Sequence, residues 1–101
     1  MLGKELDVAK NVKMTEDVQC QLLAVLSEFF TAMQKNASKA EKTEILARLE
    51  VLLYLMAERL GISKAALDGK AAASIRLGLL KEEKEEWKPL LLELLHELEG
   101  K

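Results

Sequence analysis

Cysteine, proline, histidine, tryptophan and tyrosine each occur once in the 101 residues, and phenylalanine twice. The single thiol, Cys20, excludes an internal disulfide framework and any cysteine-cluster zinc site. One histidine, His96, and no nucleophile motif around any serine leave nothing from which to build a hydrolase triad. The glycines, at 3, 61, 69, 78 and 100, are too dispersed to cradle a phosphate. No apolar run approaches the ~18 residues that a membrane span needs, and no charged-then-apolar leader opens the chain. A reducing, cytoplasmic setting without membrane contact is therefore expected. The scarcity of aromatic and β-branched residues excludes a strand-rich sandwich.

Half of the residues are hydrophobic, 32 % are charged and the formal net charge is −2. Residues 61–80 are mildly basic, with Lys64, Lys70 and Arg76 against Asp68, while 81–101 carry four lysines against seven glutamates. There is no dense basic stripe of the kind that neutralises several phosphates, which argues against nucleic acid as a partner. Leucine and other good helix formers dominate, so summed propensity favours helix almost everywhere.

Residues 1–14 are readable two ways: Leu2, Leu6 and Ala9 fit a short N-terminal helical arm, the favoured reading, while Leu6, Val8, Val12 and Met14 fit an extended alternation. Thr15, followed by Glu16 and Asp17, has the chemistry of a helix start. From there Val18, Leu22, Val25, Leu26, Phe29 and Met33 recur at three- and four-residue spacing, with Leu23 and Phe30 widening the stripe to one side. That predicts a helix over about 16–36, stopped by Asn36. Ser38 and Glu41 match a capping box and open a helix over 39–60. Its apolar positions are Ile45, Leu46, Leu49, Leu52, Leu53, Met56 and Leu60, and Gly61 suits the left-handed residue that closes it. Residues 51–57 are apolar or aromatic all round, the mark of a helix buried on more than one side.

Ser63 caps a further helix that Gly69 is expected to interrupt, and 70–80 resume with Ala71, Ala72, Ile75 and Leu79 on one face. After the charged run from Lys81 to Glu86, Pro89 marks the start or a kink of a last helix over about 89–99. Leu91, Leu94, Leu95 and Leu98 turn inward there and Glu93 and Glu97 outward. The expected fold is all-α: a single domain over 1–101 forming a compact antiparallel bundle of four to five helices.

The leading functional candidate is surplus apolar surface. Val51 and Leu55 lie on a flank of helix 39–60 beyond its main stripe, with Tyr54 further round. An exposed aliphatic flank is costly unless another chain covers it. Arg48, Glu58 and Arg59 would rim that contact, and Trp87, between a charged run and a proline, suits a packing anchor or an interface hot spot. The expected function is thus a non-enzymatic one without cofactor. The protein would act by protein–protein interaction, either with itself as a homodimer or with an unidentified protein partner.

Two alternatives come from motifs. Residues 56–70, with Ala57, Gly61 and Ile62 around a tight turn, resemble the helix-turn-helix of bacterial repressors. The resemblance implies a DNA-binding regulator presenting Ser63, Lys64 and Lys70 to DNA. It departs from the pattern at Lys70, where an aliphatic residue is usual, and at Gly69 inside the recognition helix. Glu93 and His96 form a Glu-x-x-His pair of the type used by di-iron bundles, so a dimer could bring two pairs to one metal. Both residues fall on the polar side of their helix, and a surface histidine near a helix C-terminus is the plainer reading. Cys20 reads as a partly buried structural residue rather than a reactive thiol, since Glu16 and Asp17 oppose thiolate formation.

Overall fold

The computed structural model describes the backbone of residues 2–81 and 85–100, and the side chains of 8–78 and 85–100. The fold is all-α. Four α-helices occur in the order α1 (Leu2–Gln34), α2 (Lys39–Arg59), α3 (Lys64–Lys81) and α4 (Lys88–Leu98), with a single 3-10 turn at Glu85–Trp87 before α4 and no strand among the described residues. The chain divides into two compact units, Met1–Gly61 and Ile62–Lys101. In the first, α1 packs on α2; in the second, α3 packs on α4.

The first pair owes its geometry to the turn between its helices. The amide of Ala37 donates to the Ala32 carbonyl at 2.9 Å, and that of Asn36 to Met33 at 3.2 Å. Asn36 takes the left-handed conformation, φ 55°. This is a Schellman closure with asparagine in the place more often held by glycine. Two residues later Ser38 adopts an extended backbone and its hydroxyl accepts the Glu41 amide at 3.1 Å, a cap worth about 1 kcal/mol. The stop and the next start are thus fused within four residues, and α2 folds back along α1. Val25 and Ala32 of α1 and Ile45 and Leu52 of α2 form the core, with Val18, Leu22, Phe29, Ala37 and Leu49 packed around it. At the far end Gly61 closes α2 with φ 77°.

Several expectations change. Thr15 does not begin a helix. Its hydroxyl donates back to the Asn11 carbonyl at 2.8 Å inside a continuous 33-residue α1, the back-bonding that mid-helix threonines adopt. The separate arm over 1–14 is therefore the first part of α1; Leu2 and Leu6 lie outside the residues whose side chains are described, as does Leu79. The charged run from Lys81 also falls largely outside the described residues. Gly69 does not interrupt α3, which runs unbroken through it. Ser63 does cap that helix, accepting the Ala66 amide at 3.0 Å. Pro89 sits in the first turn of α4 and starts that helix rather than kinking it. Leu91, Leu95 and Leu98 are half-buried, but Leu94 is exposed.

A helical glycine loses more freedom on folding than alanine does, and a methyl group at Gly69 would meet no atom within 4 Å. Gly69→Ala is therefore expected to raise unfolding free energy by about 0.4–1 kcal/mol, read from urea denaturation. A loss of stability would mean that α3 is broken at this residue.

Candidate functional site

A pair of helices has one seam between them and two broad faces, and in α1–α2 both faces carry apolar side chains. On one face, α1 presents Gln21, Ala24 and Glu28, and α2 presents Arg48, Val51 and Leu55, around a shallow groove. Val51 is 57 % exposed and Leu55 42 %. The Arg48 guanidinium bridges the two helices here, its Nη2 donating to Glu28 Oε1 at 2.8 Å. That hydrogen bond raises the Arg48 pKa above its ordinary value; desolvation opposes it, and the charges of Glu28 and Glu44 add to the rise. The groove is thus apolar at the α2 C-terminal end and charge-compensated in its middle.

The opposite face is the larger, and the periodicity alone did not separate it from the core. Cys20, Leu23 and Leu26 of α1 and Leu49 and Leu53 of α2 line its groove. Leu23 is 71 % exposed and Phe30 62 %, and Met33, Leu46 and Leu53 are exposed to about half. Leu26, Met33, Leu46, Leu53 and Leu60, all expected inside, are therefore surface residues. Cys20 is exposed rather than partly buried. The missed signal was the width of each stripe: seven or eight apolar positions in about 20 residues is more than one helical neighbour can cover.

The residues singled out from the sequence fare differently. Val51, Leu55 and Arg48 do come together along one groove, with Tyr54 half-buried on the same helix and Glu58 exposed one turn on. Arg59 does not rim this contact. It reaches back along α1, its Nη1 donating to Asn11 Oδ1 at 3.3 Å and lying 3.5 Å from Met14 Sδ. Trp87 belongs to the second unit, where it is half exposed in the turn before α4. In that unit Ser63 spends its oxygen on the α3 cap, Lys64 pairs with Asp68 at 2.7 Å, and Lys70 is exposed. Arg76 pairs with Glu99, joining α3 to the end of α4. Glu93 and His96 are both exposed on α4. Among the described residues no three His, Cys, Asp or Glu side chains stand together to hold a metal ion, and no helix is long and apolar enough to cross a membrane.

What the geometry defines is an all-helical protein whose first helical pair is faced with aliphatic side chains on both sides. Residues 8–89, about four-fifths of the chain, match the model of the MazG-like family, and the chain belongs to that family. No curated protein and no solved structure matches it.

Arg59 ties the end of α2 to α1 through two of its neighbours. Arg59→Ala is expected to speed amide hydrogen exchange in α1 around Asn11 and Met14 while leaving α3 unchanged, followed by mass spectrometry. Unchanged exchange there would show that the bridge holds nothing.

Proposed function

We propose that this protein is a non-enzymatic interaction protein that works as a homodimer, covering with a second copy of itself the apolar surface of the α1–α2 pair. The observation that carries this reading is the exposure of large aliphatic side chains along both faces of one helical pair. Monomers rarely leave patches beyond a few hundred Å² open, and larger ones mark interaction sites. A second copy is favoured over a foreign chain because a twofold contact uses the same patch twice and needs no other gene product. The groove lined by Arg48, Val51 and Leu55, with Tyr54 and Glu58 on the same helix, is available to the same copy or to a further protein. A reducing compartment such as the cytoplasm suits an exposed thiol with no cysteine to pair with.

MazG-like domains are often related to pyrophosphatases, which sets a catalytic reading beside this one. Cleavage of a diphosphate linkage draws on divalent cations held by clustered carboxylates. The carboxylates described here do not fit that demand: Glu28 is engaged by Arg48, and no cluster of three donors forms among the described residues.

Light-scattering mass after size exclusion decides the first reading. The expected value is twice the 11.3 kDa chain at both low and high salt, since an apolar contact is not screened. A mass of one chain at both salts would overturn it. Release of pyrophosphate from a nucleoside triphosphate with Mg²⁺, abolished by Glu28→Gln, would replace the non-enzymatic reading with the catalytic one.

A further inference from the structure

The groove that holds Arg48 is where this chain departs most from the chemistry of diphosphate cleavage. Two glutamates line it from two helices, Glu28 of α1 and Glu44 of α2, and Arg48 is the cationic side chain between them. The rest of the lining is apolar apart from Gln21. One or two carboxylates, with water, are the usual protein share of a Mg²⁺ site, because that ion gives up its hydration shell reluctantly. By residue type alone, Glu28 and Glu44 could therefore take a divalent ion. They face a guanidinium instead.

Glu44 lies one turn before Arg48 on the same side of α2, and Glu28 accepts from Arg48 Nη2 at 2.8 Å across the two helices. The charges of both glutamates act on that one guanidinium. Three properties make it a competitor that a dissolved ion does not easily displace. It is tethered, so its local concentration does not follow the medium. It stays protonated wherever the glutamates are ionised. It also spends a donor on the Glu28 oxygen that a metal would need, and a divalent ion placed on that oxygen would lie against a like charge. The pair differs from Lys64–Asp68 and Lys88–Glu85, which join near neighbours along the chain. Residues 28 and 48 are 20 apart and belong to different helices.

We propose that Arg48 serves as the built-in cation of this groove, satisfying Glu28 and Glu44 in place of a divalent metal ion and keeping such ions out of the α1–α2 pair. The charge of the groove is then set by the chain alone. This deepens the non-enzymatic part of the reading above, and it holds for one copy of the chain as for two.

The test titrates Mn²⁺ into the ¹⁵N-labelled full chain, since this ion broadens the NMR signals of amides close to it. In the wild type the amides of Ala24, Ala47 and Val51, all at the groove, are expected to stay as sharp as in Glu28→Gln. Arg48→Met keeps an unbranched stem and removes the charge. It is expected to tighten Mn²⁺ at these amides about tenfold or more, as a charge within about 4–6 Å alters a carboxylate's proton affinity by roughly 1–3 pKa units. Adding Glu28→Gln to that variant is expected to abolish the gain, with circular dichroism checking that helix content is kept. Broadening of the wild-type groove that Glu28→Gln abolishes would make this a metal site with Arg48 turned aside, a result that needs no Arg48 variant. A folded Arg48→Met that binds Mn²⁺ no more tightly than the wild type would make Arg48 an ordinary surface bridge. Either result overturns the proposal. Broadening is read on each copy by itself, so a failure here is distinguished from a failure of self-association, which the mass reads.

Discussion

Everything in the first half of this molecule depends on one constraint: two helices packed side by side can bury only the strip along which they meet. In α1 and α2 that strip holds Val25, Ala32, Ile45 and Leu52. No side chain in it is sealed off completely, since even Ile45 retains 3 % exposure. A stable domain layers its elements so that each apolar face finds another. Here the apolar residues greatly outnumber the places along one strip, and the remainder are pushed to the two faces. The proposed function rests on that surplus.

The features legible from sequence are those decided by a few adjacent residues. Ser38 and Glu41 mark the start of α2, Gly61 its end, Asn36 the end of α1 and Ser63 the start of α3, because capping is a short-range affair between a side chain and the nearest free amides or carbonyls. The errors arise where one residue serves two local purposes. Thr15 has the same hydroxyl whether it caps a helix or bonds back to Asn11, and only the continuation of α1 on its N-terminal side separates the two. Gly69 weakens a helix without ending it, because its neighbours Ala65, Ala66, Ala71 and Ala72 carry the propensity through.

The candidate surface was half legible. Val51, Leu55 and Arg48 could be placed together by helical spacing alone, and they do share a groove. Their larger counterpart was hidden inside the core stripe, since Leu23 and Phe30 sit only a little round the helix from Leu22 and Phe29. Periodicity says which residues share a side. How far round that side the neighbour extends is a property of the neighbour, here a single helix 21 residues long. Arg59 shows the same limit from the polar side: its charge suggested a rim, but the long, three-methylene stem of the guanidinium lets it fold back onto α1.

The tight turn at Asn36–Ser38 also bears on how the protein is made. Closing a loop of so few residues costs little chain entropy, and the partners of α1 lie within the next 25 residues. The first pair is therefore complete as soon as Gly61 clears the ribosome, while α3 and α4 are still being synthesised. Its two aliphatic faces meet the cell at that moment, before the rest of the chain has folded. A short turn thus brings these faces out early in synthesis, and overproduction would press them toward aggregation.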